Sequence, residues 1–191
     1  MGESAEVTTF GGDDGTSSLL DGARRPKDDP AFDAVGNIDA AQVAVGAARR
    51  ALLDAKAGRR VGGRDARHLA ETTELLERIQ RDLITAGGIL AYGNAVPDSL
   101  RLDDSRLPEL TEAVERWRER VHIGREFVIA GGSWAGVELD RARTVVRQAE
   151  RSVVAVVRGR GIEATVQVSR YLNRLSDVLF ILARWSDNAL Q

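Results

Sequence analysis

Between Glu163 and Trp185 the apolar residues Val168, Tyr171, Leu172, Leu175, Leu179, Leu182 and Trp185 return every three or four positions, the spacing that lays side chains along one face of an α-helix. The same spacing runs through Leu69, Thr72, Leu75, Leu76, Ile79 and Leu83, and again through Ala142, Val145, Val146, Ala149, Val153 and Val156. No stretch alternates strongly enough at period two to compete as a sheet. The chain must therefore bury helical stripes against one another, and an all-α bundle of about five helices is the expected fold.

Local punctuation sets the boundaries. Asp29-Pro30 reads as a helix start, and Phe32, Val35, Ile38, Val43 and Val45 carry a broad apolar face down to about Lys56, where "AGRRVGG" breaks it. A second helix begins near Arg64, with Gly87-Gly88 expected to interrupt or end it. After the polar stretch "NAVPDSLRLDDSRLP", Leu110, Val114, Trp117 and Val121 mark a third helix, closed near "HIGREF". A fourth runs from about Trp134 to Arg158 and a fifth starts near Glu163. Residues 1–30, rich in Gly, Ser, Thr and Asp and carrying Pro26 and Pro30, read as loop. With 31–191 as the bundle, the 191 residues make a single domain.

Composition narrows the partners. Twenty-seven basic residues against twenty-nine acidic ones leave no global field for nucleic acid or an anionic membrane, so any polyanion site must be a local cluster. Without cysteine there is no disulfide, no thiolate metal site and no thiol nucleophile. The opening "MGESAEVTTF" lacks a basic segment followed by an apolar core, and no apolar run reaches the ~20 residues of a membrane span. A cytoplasmic, non-membrane protein is the expectation.

Four local features ask for chemistry. In "GGDDGTSSL", residues 11–19, Gly11, Gly12 and Gly15 free the backbone to present N–H groups to an anion, yet Asp13 and Asp14 place two negative charges there. In "RARTVVRQAERS", Arg143, Arg147 and Arg151 form a stripe at intervals of four. Such a stripe suits an anion, or else is a solvated face with local Arg–Glu pairs involving Glu150. In "YLNRLSDVLF", Asn173, Ser176, Asp177 and Phe180 share a face beside the apolar seam, as a polar binding surface or as an interhelix hydrogen bond. "FVIAGGSW" couples an apolar run to two glycines and the N-cap candidate Ser133.

Taken together, "GGDDGTSSLLDG", "RRPKDDPAFDAVGNID", "FVIAGGS", "ARTVVRQAER" and "YLNRLSDVLFILAR" resemble, in order and spacing, the PduO-type ATP:cob(I)alamin adenosyltransferases. The resemblance spans almost the whole chain and is weakest over residues 57–125. It implies a five-helix bundle assembling as a homotrimer, with ATP in clefts between subunits, cobalamin beside it and an N-terminal loop folded over the triphosphate. Carried over by position, Gly12, Asp13, Gly15, Thr16 and Ser17 match that loop and Lys27 the lysine that reaches the phosphates. Arg147, Glu150 and Asn173 match nucleotide-contacting positions, with Ser176 and Asp177 in the same motif. Asp39 matches an aspartate that pairs across the subunit interface with the arginine at Arg143. Phe127 matches an aromatic against the lower face of the corrin, although as a residue it could equally plug the end of the bundle.

The implied reaction is transfer of the 5′-deoxyadenosyl group of ATP to cob(I)alamin, with Mg²⁺ accompanying the triphosphate; Asp13 and Asp14 either hold the loop's own shape or sit near that ion, and the residues name no metal ligand. A nucleophile as strong as Co(I) needs no general base, so His68 and His122, in no recognisable pairing, are no objection. A reductase and a cobalamin-dependent enzyme are the implied partners. The chain also departs from the pattern. Thr9, Phe10 and Gly11 replace a stretch with a basic residue, Ala40, Ala41 and Gln42 replace Glu-Leu-Asn, Ala130 replaces a proline, Asp140 a frequent histidine and Gln148 an arginine. An active enzyme is the favoured reading. The alternatives are a non-catalytic relative that carries or senses nucleotide or cobalamin, and a purely structural helical oligomer.

Overall fold

The computed structural model describes residues 10–58, 63–124, 126–160 and 163–190; Thr9 and the middle of the "AGRRVGG" break, residues 59–62, lie outside them. Five α-helices carry the fold: α1 Pro30–Gly58, α2 Gly63–Tyr92, α3 Arg106–Arg118, α4 Trp134–Arg160 and α5 Glu163–Ala189. α1 packs between α2 and α4, α5 packs on α4, and the short α3 lies against α5. Ion pairs from Arg116 and Arg120 to Glu71 and from Arg106 to Asp82 also tie the α3 region to α2.

Helix starts follow their caps. The Asp29 carboxylate accepts the backbone N–H of Ala31 at 2.8 Å, and the Ser133 hydroxyl accepts that of Gly136 at 2.9 Å. Each thereby satisfies a donor that the first helical turn leaves without an intrahelical partner. The core follows the periodicity in α2 and α5, where Leu69, Leu76, Ile79, Leu83, Val168, Leu172, Leu175, Leu179 and Leu182 are all buried. Trp117 and Trp185 meet with ring centroids 4.9 Å apart and planes tilted by 59°, with the His68 ring edge-on to both, closing the bundle between α2, α3 and α5.

α1 departs from expectation. Its buried residues are mostly small: Ala31, Ala34, Ala41, Ala44, Ala48 and Ala51 join Ile38, Val45 and Leu52. These face a similar surface on α4, with Ala142 and Ala149 fully buried, so the two helices meet along small side chains. Val43, expected inside, is 61% exposed.

Two further expectations are corrected. Gly87-Gly88 neither interrupts nor ends α2, which continues to Tyr92 with Ile89, Leu90 and Ala91 buried. The pair instead admits neighbours: a Cβ on Gly88 would stand 3.3 Å from Leu100 Cδ2, and one on Gly87 would stand 3.5 Å from Ile38 Cγ2. The N-terminal segment is not all loop. β1, Thr16–Ser18, pairs antiparallel with β2, Arg24–Pro26, in the register Thr16↔Pro26, Ser17↔Arg25 and Ser18↔Arg24. Strands this short have no periodicity to read.

Candidate functional site

The hairpin gives "GGDDGTSSL" a defined shape. Turn hydrogen bonds run from the N–H of Asp13 to the carbonyl of Phe10 and from that of Gly15 to Gly12, both 3.3 Å, and Lys27 N–H extends the ladder to the Gly15 carbonyl at 3.0 Å. Asp14 holds the loop together: one carboxylate oxygen accepts the Thr16 backbone N–H at 2.9 Å and its hydroxyl at 2.7 Å, and Arg24 pairs with the same carboxylate. Hydrogen bonds from Thr16, with help from Arg24, hold the Asp14 carboxyl below its usual range. One of the two puzzling aspartates therefore serves the loop's own structure. Lys27 lies close over Gly12: a Cβ there would stand 3.0 Å from Lys27 Nζ, which the exposed lysine would have to shift to accommodate. The ammonium therefore lies against the bare backbone of Gly12.

The second element is a cavity of about 320 Å³ where α3, α4 and α5 meet, lined by Val114, Ile123, Arg143, Arg147, Ser176, Asp177 and Phe180. The stripe on α4 is not neutralised in the way a solvated face would be. Glu150 pairs with none of the arginines but accepts a hydrogen bond from Asn173 Nδ2 at 2.9 Å, which ties α4 to α5. Arg151 donates to the backbone carbonyl of Arg147 at 3.2 Å. Arg143 donates through Nε to Asp140 at 3.0 Å and lies over the Phe180 ring. Arg147 is exposed and has no acidic partner among the described residues. On α5, Ser176 donates to the Asn173 carbonyl at 2.9 Å and Asp177 pairs with Arg174 at 3.0 Å.

The third element is the segment between α3 and α4. Phe127, Val128 and Ile129 lie in neither helix nor strand, and Phe127 and Ile129 project fully into solvent. Phe127 plugs nothing, so the reading of it as a bundle-end residue is overturned. Ile123 on the cavity wall begins the same stretch of chain.

The structure thus brings Arg143, Arg147, Ser176 and Asp177 to one cavity, joins Glu150 to Asn173, and gathers Gly12, Asp13, Gly15, Thr16, Ser17 and Lys27 into one hairpin. The hydrogen bonds holding Asp13, Thr16 and Lys27 stay within the N-terminal segment. Asp39 lies exposed on α1 and has no ionic partner among the described residues, and Arg143 pairs within the chain with Asp140. A different cavity, about 310 Å³ between the α3 region and α5, contains none of these residues. Two of its polar lining groups are engaged by residues outside it: the Tyr171 hydroxyl donates to Asp82 at 3.0 Å, and Arg106 bridges Asp82 and Glu109. Among the described residues no group of three or more His, Asp or Glu is placed to hold a metal ion, and no helix is long and apolar enough to cross a membrane.

Sequence reasoning missed a buried ionic chain behind this cavity. Arg184 donates to both Asp140 and Asp187, and Asp187 accepts the backbone N–H of Ser133 at 2.8 Å. The available signal was "ARWSD", which puts opposite charges three residues apart on a helix whose neighbouring positions are all apolar or small.

The sequence profile of the family described as cobalamin adenosyltransferase matches residues 7–186. A corrinoid adenosyltransferase of Mycobacterium tuberculosis (strain H37Rv) is 37% identical over 185 residues, covering 93% of this chain and 86% of that protein. The human corrinoid adenosyltransferase MMAB is 32% identical over 186 residues, covering 95% of this chain and 68% of that protein. Among solved structures, a variant PduO-type ATP:corrinoid adenosyltransferase from Lactobacillus reuteri, complexed with cobalamin and ATP, superposes with a TM-score of 0.78 at 25% identity, covering 96% of this chain and 94% of that one.

Proposed function

Because the chain belongs to the cobalamin adenosyltransferase family, we propose that the N-terminal hairpin and the α4–α5 cavity are the two halves of one ATP site, with the Phe127 segment beside it for the corrinoid. The reaction is transfer of the 5′-deoxyadenosyl group of ATP to cob(I)alamin. Co(I) attacks the ribose 5′ carbon, a Co–C bond forms, the C–O bond to the triphosphate breaks, and its electron pair leaves with triphosphate. No proton moves in that step, which suits a site without a general base. The protein has to align the two substrates and stabilise charge gathering on the leaving group.

Lys27 and the N–H groups of the Gly12–Gly15 turn suit the triphosphate, as does Arg147. The observation that carries this reading is Arg147 itself, a guanidinium on the rim of a 320 Å³ cavity with no acidic partner among the described residues. Glu150 and Asn173, fixed on each other, offer remaining lone pairs and N–H groups to the nucleoside. Magnesium finds no cage of three or more His, Asp or Glu among the described residues and enters with ATP as part of the substrate. Phe127, already presented to solvent, offers an apolar face to the corrin's lower side, where it would exclude an axial ligand and make Co(I) easier to reach.

The two halves meet between subunits. Support comes from α1, whose outward side carries exposed Ala40 and Val43 together with Asp39, which has no ionic partner among the described residues, and from exposed Ile84 on α2. Arg143 engages Asp140 through Nε, which leaves its terminal N–H groups for Asp39 of the partner subunit. A homotrimer satisfies this arrangement, and sedimentation tests it: a monomer at assay concentration removes the intersubunit site. A reductase that delivers cob(I)alamin and an enzyme that accepts the product complete the scheme.

The test is anaerobic. Chemically reduced cob(I)alamin, ATP and Mg²⁺ are mixed with the protein while loss of the Co(I) absorption and growth of a light-sensitive Co–C product are followed. Adenosylcobalamin with free triphosphate is the expected result. ATP binding without product would favour a carrier or sensor, a reading to which exposed Phe10 and Gln148, occupied with Asn37, lend support.

A further inference from the structure

Asp187 stands near the end of α5 with its side chain only 12% exposed, and two different parts of the chain share its carboxylate. Oδ1 accepts the backbone N–H of Ser133 at 2.8 Å and faces the Ser133 hydroxyl at 3.3 Å. Oδ2 accepts from Arg184 at 2.8 Å. Glycines make the approach feasible: a Cβ on Gly136 would stand 2.0 Å from Oδ1, and one on Gly132 would stand 2.8 Å from Cγ. Arg184 donates onward to Asp140, and Asp140 accepts from Arg143. Both guanidiniums lie over the one ring of Phe180, at 5.4 Å and 5.9 Å.

A relay of alternating charge therefore runs from the root of the Phe127 segment to the arginine on the cavity wall. Stability alone is a poor reason for it. Desolvation cancels most of the attraction within buried ion pairs, and apolar groups of the same volume often do as well. What the relay supplies is position. The residues from 126 to 132 have no helix or strand to fix them, and Ser133 is the point at which that segment joins the bundle. Asp187 holds this point from a different helix.

We propose that Asp187 is a positioning residue for the corrinoid half of the reaction, fixing the root of the Phe127 segment and, through Arg184 and Asp140, setting it relative to Arg143. The inference rests on the reaction assigned above and deepens it. Enclosed as it is, Asp187 acts through the segment it anchors.

The experiment compares steady-state constants for each substrate in the full-length protein, Asp187→Ala and Asp187→Asn. Displacing an aligning group by about an ångström can lower rates by as much as ~100-fold. For Asp187→Ala, kcat/KM for cob(I)alamin should accordingly fall by roughly 10- to 100-fold, while KM for ATP changes by less than about threefold. Asp187→Asn keeps an oxygen for the Ser133 N–H and should recover several-fold of the corrinoid loss. If the alanine variant does not fold, Asp187→Asn alone decides, with at least about a threefold rise in corrinoid KM at constant ATP KM expected. Equal losses for both substrates, or an unchanged corrinoid constant, overturn the positioning role and leave the reaction in place. A wild-type protein that makes no adenosylcobalamin overturns the reaction itself.

Discussion

Replacing Gly136 by alanine puts a methyl group where the Asp187 carboxylate now sits, 2.0 Å from Oδ1, 2.8 Å from Cγ and 3.0 Å from Ser133 Oγ. Ordinary contact begins more than an ångström farther out, so Asp187 must leave. Its departure strips the buried Ser133 N–H of its acceptor, costing about 1–3 kcal/mol. It also leaves Arg184 with Asp140 alone, a partial form of a broken buried pair whose full cost is about 3–5 kcal/mol. Alanine's helical advantage over glycine returns about 0.5–1 kcal/mol. The net is a destabilisation of about 2–4 kcal/mol, which in a chain of this size lowers the melting temperature by roughly 5–15 °C. Thermal unfolding is measured at fixed protein concentration, with Gly159→Ala as a control in α4, because a Cβ there meets nothing within 4 Å. The decisive arm repeats Gly136→Ala in an Asp187→Ala background, where the methyl has no carboxylate to displace and its cost should fall below about 0.5 kcal/mol or change sign. An equal cost in both backgrounds would refute the reasoning.

Arg147→Ala should abolish the rise in melting temperature that ATP produces, which for a true site at a hundred times Kd is about 2.7 kcal/mol, or roughly 5–10 °C. Gly12→Ala pushes a methyl to 3.0 Å from Lys27 Nζ, so KM for ATP should rise several-fold, in the same direction as for Lys27→Ala, with little change in stability. Phe127→Ala removes no buried surface from the chain, so the melting temperature should hold within about 0.5 kcal/mol equivalent while turnover starting from cob(II)alamin falls. Burial holds the Asp82 carboxyl above its usual 3.8 despite the Tyr171 hydroxyl and Arg106. The folded state thus binds that proton more tightly than the unfolded chain, and this group's contribution to stability declines as pH rises from 3.8 through the raised value. The melting temperature of Asp82→Asn relative to wild type should accordingly climb with pH across that window.

Where the sequence carried a period, the structure followed it. Trp134 opens α4 and Glu163 opens α5 as expected, because Ser133 is a capping residue and Val168 to Trp185 is an uninterrupted stripe. Small residues were harder to interpret. Ala34, Ala41 and Ala48 bury fully in α1 while Val43 does not, since Val43 lies two residues from both Ala41 and Val45 and so falls on the opposite side of the helix, where hydrophobicity alone gives no warning. Gly87-Gly88 looked like a break because glycine weakens a helix locally; the neighbours it admits outweigh that cost. Of the residues that the resemblance singles out, Lys27 lies in the N-terminal hairpin, Arg147 at the cavity, and Glu150 and Asn173 in an interhelix hydrogen bond, a placement that no local pattern shows. Asp187 escaped because its role depends on Ser133, 54 positions away in the chain, and such a contact leaves no local pattern.

Lys27 is extended across Gly12 in a loop already tied by Asp14, Thr16 and Arg24. Ordering a long, rotamer-rich side chain on binding ordinarily costs about 0.5–1.5 kcal/mol. Here the hairpin already orders the backbone that carries Lys27, so only the side chain remains to be fixed and ATP association should show a smaller entropic penalty than a lysine in an unordered segment would impose. The departures at Phe10 and Gly11 remove a basic side chain from the loop, and this pre-ordering gives the remaining cation a way to make up lost attraction with lost freedom.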